Sequence, residues 1–316
     1  MKKSNGRATV FGSFAVDLMS RTMHLPQPGE TIKSGFFRMG PGGKGFNQGI
    51  AAKKLGGNIE LVTKVGRDQF SGIAREEMLR VGLSTQYLFE SDSADTGVAL
   101  IMVSEASGQN IITIVPGACA TIGPEDIEKI GEIVRNSDYL LLQLEVNQDA
   151  NEAVARLAKE NGVKVIVNTA PFQPMSLEFL RGLYLITPNE VEAKALTGIN
   201  VTDLESADQA ARIVLNYGVK NVIITMGDKG AYLNNGTRSA IIPGYKVNVV
   251  DTTGAGDAFN GALLTALLEG KNLFEAVQFA NAVAACSVQF MGTSIAMPTR
   301  EEVDRFLDFY STKNRE

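Results

Sequence analysis

Residues 249–261 read Val-Val-Asp-Thr-Thr-Gly-Ala-Gly-Asp-Ala-Phe-Asn-Gly, and no other stretch limits the fold of this chain as strongly. Val249 and Val250 close a short apolar run, which predicts the end of a strand. Gly254, Ala255 and Gly256 then leave the main chain bare, and the Ala-Phe-Asn-Gly-Ala-Leu-Leu-Thr-Ala-Leu-Leu run after Asp257 predicts a buried helix. The first amides of a helix lack intrahelical partners and the helix dipole is positive there, so an anion can sit on residues 254–257. Asp257 is the odd member, because a bound anion repels a carboxylate. One reading makes it a base that takes the proton from an alcohol attacking the anion, as phosphoryl transfer to a hydroxyl requires. The other makes it a helix cap, a common task for aspartate.

The rest of the chain supplies a frame for such a turn. Helices are expected at 47–55, 70–81, 124–135, 148–161, 189–196 and 206–217. Strands are expected at 9–14, 60–65, 139–143, 163–168, 183–187 and 221–225. Leu140–Leu142, Val165–Val167 and Val222–Ile224 are continuously apolar, the mark of strands covered on both faces by helices. The expected fold is therefore α/β, with a central, mostly parallel sheet flanked by helices. Ligands of such sheets bind beyond the carboxyl ends of the strands, and Asp17, Glu145, Asn168, Asn189, Gly227 and Asp257 all follow expected strands. Two hairpin-like pieces, 18–23 with 31–39 and 97–103 with 110–115, are too polar or too isolated for that core. They predict one small additional sheet.

Further motifs carry polar groups to the same rim. Gly42-Gly43-Lys44-Gly45-Phe46-Asn47-Gln48 allows close backbone approach and offers donors suited to a sugar. Asn189 and Glu192 share one face of a helix's first turn, either as site residues or as a capping pair. Thr225-Met226-Gly227-Asp228-Lys229-Gly230 is a glycine-rich turn that spacing alone does not distinguish from an ordinary hairpin.

Asp-Thr-Thr-Gly-Ala-Gly-Asp-Ala-Phe-Asn-Gly resembles the C-terminal signature of the ribokinase family of carbohydrate kinases. The Gly-Ser-x-x-x-Asp, Gly-Gly-Lys-Gly-x-Asn-Gln, Thr-Pro-Asn-Glu-x-Glu and Thr-Met-Gly-Asp-Lys-Gly motifs occur in that family's order across nearly the whole chain. The resemblance implies one ribokinase-like domain over 1–316, with a β-sheet lid formed by approximately 15–40 and 96–115. It implies an ATP-dependent kinase acting on the primary hydroxyl of a pentose such as ribose. Asp257 would be the base and Gly254, Ala255 and Gly256 the phosphoryl cradle. Asp17, Gly43, Lys44, Asn47 and Glu145 would bind the sugar. Asn189, Thr225, Gly227, Gly230, Gly256 and Asn281 would bind the nucleotide. Glu192 would organise Mg2+, and Asp251, Thr253, Ser287, Phe290 and Gly292 would hold K+. Relatives pair through their lids, and exposed sheet edges invite pairing, so a homodimer is expected.

The sequence departs from that pattern at three positions. Ala15 stands where ribokinases carry an asparagine that contacts the sugar, which makes a sugar lacking that hydroxyl, such as 2-deoxyribose, a contender beside ribose. Ala296 stands where a serine is usual beside the K+ site. Asn281 stands where an adenine-side histidine is found.

Composition excludes several other classes. A net charge of −5 with interspersed signs carries no nucleic-acid footprint. No run approaches the ~20 apolar residues of a membrane span. The basic start, Met-Lys-Lys-Ser-Asn-Gly-Arg, lacks the apolar stretch of a secretory signal. Cys119 and Cys286 sit among apolar or small residues and are expected to be buried reduced thiols, and the expected location is cytoplasmic. His24, the single histidine, is expected at a surface or interface. Gly40–Gly45 also fits a dinucleotide-binding glycine pattern, which keeps a nicotinamide oxidoreductase as a rival. That rival lacks the acid that should end the next strand, because Lys64-Val65-Gly66 stands there. A sugar- or nucleotide-sensing protein without turnover is the third reading.

Overall fold

A computed structural model describes residues 6–313. The basic stretch at residues 1–5 lies outside the described residues. The chain runs through β1 (Ala8–Phe11), β2 (Ala15–Thr22), β3 (Phe36–Gly42), α1 (Lys44–Lys54), β4 (Ile59–Gly66), α2 (Ser71–Arg80), β5 (Leu88–Ser91), β6 (Gly97–Ser104) and β7 (Asn110–Val115). It then alternates through α3 (Pro124–Arg135), β8 (Tyr139–Leu142), α4 (Gln148–Glu160), β9 (Lys164–Val167), α5 (Leu177–Leu180), β10 (Leu185–Ile186), α6 (Glu190–Thr197), α7 (Leu204–Asn216) and β11 (Val222–Thr225). The hairpin β12 (Ala231–Asn234) and β13 (Ser239–Ile242) precedes α8 (Ala255–Leu268), α9 (Leu273–Ser287) and α10 (Arg300–Lys313).

The main sheet has nine strands in the order β13-β12-β11-β10-β9-β8-β1-β4-β5. All its pairings are parallel except β11–β12 and β12–β13, which are antiparallel at one edge. Alternate residues of each central strand feed opposite cores. Val10, Leu141, Ile166 and Ile223 pack on the side of α1, α8 and α9. Phe11, Leu142, Val167 and Ile224 pack on the side of α3, α4 and α7. This two-sided burial explains why the strands read as unbroken apolar runs.

The second sheet has the order β3-β2-β6-β7, with β2 and β6 parallel and both outer pairs antiparallel. Its outer strand β7 is exposed along its whole length. The α/β architecture and the small extra sheet agree with the sequence reading. Several details do not. No strand ends at Val249 and Val250: residues 243–250 form no strand, and both valines are more than half exposed. The amides of Val250 and Asp251 bond the carbonyl of Val288 instead, so α8 is entered from a loop. Valine's preference for strands yields wherever no neighbouring strand offers a ladder. Asp17 lies inside β2, because β1 stops at Phe11 and the chain changes sheets through Gly12–Phe14. α1 begins at Lys44, ahead of its expected start at Asn47, and residues 31–35 form no strand. The dinucleotide reading of Gly40–Gly45 loses its context too. The strand before α1 is β3, antiparallel in the small sheet, and not a parallel strand of the main one.

Candidate active site

α8 is buried from Asp257 to Leu268 and crosses α1 at very short range. A Cβ on Gly261 would lie 2.6 Å from both Ala51 Cβ and the Gln48 carbonyl oxygen. Small residues at this crossing bring the N-terminal turn of α8 onto the first turns of α1. Gly254 is the N-cap of α8 at φ 79°, a conformation that glycine adopts without strain. A Cβ on Gly256 would meet nothing within 4 Å, so the space beside the main chain there is open.

Asp257 is 5% exposed. Its Oδ2 accepts from Asn47 Nδ2 at 3.0 Å and its Oδ1 from Gln48 Nε2 at 2.9 Å. No side-chain cap hydrogen bond closes the N-terminus of α8. Of the two roles open to Asp257 in the sequence, the geometry therefore favours a carboxylate aimed at the cleft over a cap.

The cleft has a volume of about 340 Å3. Its floor is Asp257, Asn47, Lys44 and Glu192, and its roof is Ala99, Ile101, Ile112 and Ile114 of the second sheet. Asp17, Ala15, Gly43 and Glu145 reach it from the side. Glu145 Oε2 accepts from the Lys44 amide at 2.8 Å and from Ser13 Oγ. The glycines of the Gly-Gly-Lys-Gly run serve close packing as well as access. Gly43 stands at φ 89°, where a Cβ would lie 2.8 Å from Ala15 N, and Gly45 touches Gly12 backbone to backbone.

Charges converge here. Burial lifts the Asp17 carboxyl to about 6, the Thr293 hydrogen bond pulls it back, and the negative charges of Glu145 and Asp257 add to the rise. Burial works against charge on Lys44, but Asp257, Glu145, Glu192 and Asp17 outweigh it and hold the ammonium above its ordinary value. Because folding raises the Asp17 pKa, the native state binds the proton more tightly than the unfolded chain. Stability is unaffected below pH ~4 and falls as pH rises through ~6. A rise from the ordinary 3.8 to about 6 is worth at most ~3 kcal/mol, reduced to roughly 1–2 kcal/mol by the solvent that still reaches the carboxyl. Asp17→Asn is therefore expected to raise Tm by roughly 1.5–3 °C at pH 8 and to leave it unchanged at pH 4. Differential scanning calorimetry at the two pH values checks this.

The remaining sequence candidates fall in neighbouring places. Asn189 and Glu192 form a reciprocal capping box on α6, and Thr169 Oγ1 also donates to Glu192. Glu192 nevertheless lines the cleft. Thr225, at the end of β11, pairs with Asn189 through an isolated parallel bridge. Gly227 is open on its Cβ side, whereas Gly230 packs 2.2 Å (as Cβ) from the Ile242 carbonyl. Asn281 donates to the carbonyls of Ile242 and Pro243. Asp251 accepts from the amides of Thr253 and Gly292, which joins the loop before α8 to the loop after α9. That second loop carries Phe290, which is exposed, and follows Ser287, whose hydroxyl bonds Ala284 O. Cys119 and Cys286 are buried free thiols, and His24 pairs with Glu30 at the surface. Sequence reasoning assigned no role to Ser13, Thr293, Gln143, Gln48 or Asn260, although Ser13, Gln48 and Asn260 lie within the motifs it quoted. Thr293 Oγ1 donates to Asp17 at 3.1 Å from a position 276 residues away.

A buried carboxylate beside an open helix N-terminus, under a small sheet, can serve transfer of a phosphoryl group to a bound hydroxyl. The model of the pfkB family carbohydrate kinases matches residues 6–300. The chain is similar to a ribokinase from Haemophilus influenzae, 38% identical over 95% of this chain and 98% of that one. It is also similar to a deoxyribokinase from Salmonella typhi, 34% identical over 94% and 97% of the two chains. A solved structure of Arabidopsis thaliana ribokinase complexed with ribose and ATP superimposes with a TM-score of 0.87, at 33% identity over 96% of this chain and 99% of that one. The chain belongs to the pfkB family of carbohydrate kinases.

Proposed function

We propose that this protein is an ATP-dependent kinase that phosphorylates the primary hydroxyl of a pentose, with ribose as the first candidate. The observation that carries the reading is the Asp257 carboxylate, fixed by Asn47 and Gln48 at the floor of the cleft. The sugar lies between Asp17, Glu145 and the roof strands, in a single domain whose second sheet serves as the lid. Its primary hydroxyl gives its proton to Asp257 and its oxygen attacks the γ-phosphorus of ATP, while the bond from that phosphorus to the β,γ-bridging oxygen breaks and ADP leaves. The amides of Gly254, Gly256 and Asp257 hold the phosphoryl group in transit, while that of Ala255 stays bonded to the Thr252 carbonyl, and the Lys44 ammonium balances the carboxylates around it. The nucleotide extends past Asn189 and Thr225 toward Gly227 and Gly230, near Asn281.

Both oxygens of Glu192 are already hydrogen-bonded, which suits a Mg2+ held through waters more than by direct ligation. When bound, that ion neutralises phosphate charge. Among the described residues, the carbonyls of Asp251, Thr253, Phe290 and Gly292 accept no hydrogen bond, which supports a K+ site between the two joined loops. The exposed apolar face of β7 supports pairing of two copies through the lid, and light scattering tests that. Among the described residues no helix is long and apolar enough to cross a membrane, and we place the enzyme in the cytoplasm.

A coupled ATP-consumption assay over ribose, 2-deoxyribose, fructose and nucleosides, with and without K+, tests the reading. Turnover of none of them would overturn it. Ala15 is 6% exposed and lines the cleft with a methyl group that cannot hydrogen-bond a hydroxyl. A neutral hydrogen bond contributes about 0.5–1.5 kcal/mol. Ala15→Asn is therefore expected to raise the ribose-to-2-deoxyribose ratio of kcat/KM about 2–13-fold, measured on both sugars side by side. An unchanged ratio would remove position 15 from the choice of sugar.

A further inference from the structure

The nearest neighbours of Asp257 extend into a buried chain of amides. Gln48 is fully buried and Asn168 is 6% exposed. Gln48 Nε2 donates both to Asp257 Oδ1 at 2.9 Å and to Asn168 Oδ1 at 3.0 Å. Its Oε1 accepts from Gln143 Nε2 at 2.7 Å. Asn168 in turn donates to the Thr187 carbonyl, and Thr187 Oγ1 donates to Asn260 Oδ1 at 2.7 Å. Asn260 Nδ2 donates to the carbonyl of Gly256 at 2.8 Å. The chain thus leaves the carboxylate and returns to the open turn beside it.

An ionised carboxylate only accepts, so the Gln48 amide must present nitrogen to Asp257. Gln143 holds the opposite end of the same amide. The Gln48 side chain can therefore neither rotate nor flip without breaking three buried bonds, and each break would strand a polar group out of reach of water. Asn47 supplies the other donor to Asp257 but lines the cleft as well, so it also meets whatever binds there. Gln48 does not line the cleft, and Asp257 is the one cleft-lining side chain that it bonds directly.

We infer that Gln48 is a positioning residue, which sets the Asp257 carboxylate for the attacking hydroxyl and ties it through Asn168, Thr187 and Asn260 to the Gly256 turn. The inference rests on Asp257 being the base. A base displaced by a fraction of an ångström loses most of its advantage in the reaction while ligands bind as before. Gln48→Met, which keeps the volume without the donor, is expected to lower kcat about 10–100-fold. KM for sugar and for ATP should stay within about threefold, because the residue touches neither.

The test is a double-mutant cycle on the full chain, with kcat and both KM values read for Gln48→Met, Asp257→Asn and the pair. If Gln48 acts through Asp257, the pair is no slower than Asp257→Asn alone. If the two losses multiply, or if Gln48→Met loses its rate through KM, Gln48 has only a structural role and the inference falls. If Asp257→Asn itself turns over normally, it is the assignment of the base that fails. Circular dichroism and Tm check folding. Should Gln48→Met not fold, Gln48→Glu carries the cycle, since it keeps the length and the acceptor for Gln143 while setting a carboxylate oxygen against Asp257. Wild-type kcat in a folded Gln48→Glu would equally overturn the inference.

Discussion

Asp257→Asn is expected to leave the fold in place and to lower turnover about 10²–10⁴-fold, the usual size of a general-base contribution. The fold should survive because the replacement finds partners. Gln48 Nε2 keeps an oxygen to donate to. Asn47 Oδ1 has no hydrogen-bond partner among the described residues, so turning that amide lets it accept from the new side-chain nitrogen. What is lost is a basic oxygen at a place where the sugar hydroxyl must shed a proton. The measurement is kcat by coupled assay, together with Tm, at saturating sugar and ATP. Turnover within a few-fold of the parent would mean that the proton leaves by another route, and the role argued for Asp257 would have to be abandoned.

The second large effect is expected at Gly256, where stability and activity should move in opposite directions. This glycine lies in the first turn of α8, and a Cβ there would meet nothing within 4 Å. Replacing a helical glycine by alanine removes unfolded-state freedom and favours the helix by roughly 0.5–1 kcal/mol. Gly256→Ala should therefore be as stable as the parent or more so. Gly256→Val adds branches over the amides that are to receive the phosphoryl group, and an anion can no longer reach them. A loss of about 10²-fold or more in kcat/KM for ATP is expected, comparable to removal of preorganised donors from a reacting oxyanion. KM for the sugar should change far less. If Gly256→Val bound and turned over ATP normally, the phosphates would have to lie elsewhere along the rim.

What the sequence disclosed and what it hid divide along a physical line. The turn at 254–257 and the run at 42–48 were legible because their chemistry lies in consecutive residues: bare backbone, a helix start and the polar groups beside it. The parallel core was legible in its unbroken apolar strands. Val249 and Val250 misled because branched residues signal a strand only where a neighbour completes the ladder. The strand pattern put Asp17 just after the first core strand, although the resemblance put 15–40 in the lid, because nothing local marks the change of sheet at Gly12–Phe14. The amide chain through Gln48, Gln143 and Asn168 and the contact of Thr293 with Asp17 join residues 95–276 positions apart. Such pairs come into being only through the crossing of α1 with α8 and the order of the strands, and spacing cannot announce them.

The tight crossing at Gly261 has a mechanical corollary. With almost no side-chain matter between them, α1 and α8 behave as one welded body carrying proton acceptor, its amide holders and phosphoryl seat together. Asp17, by contrast, rides on β2, in the smaller sheet. Were that sheet to rock, the sugar's anchor would shift while the machinery beneath kept its alignment, so grip on the acceptor could be tuned by evolution without retuning the chemistry.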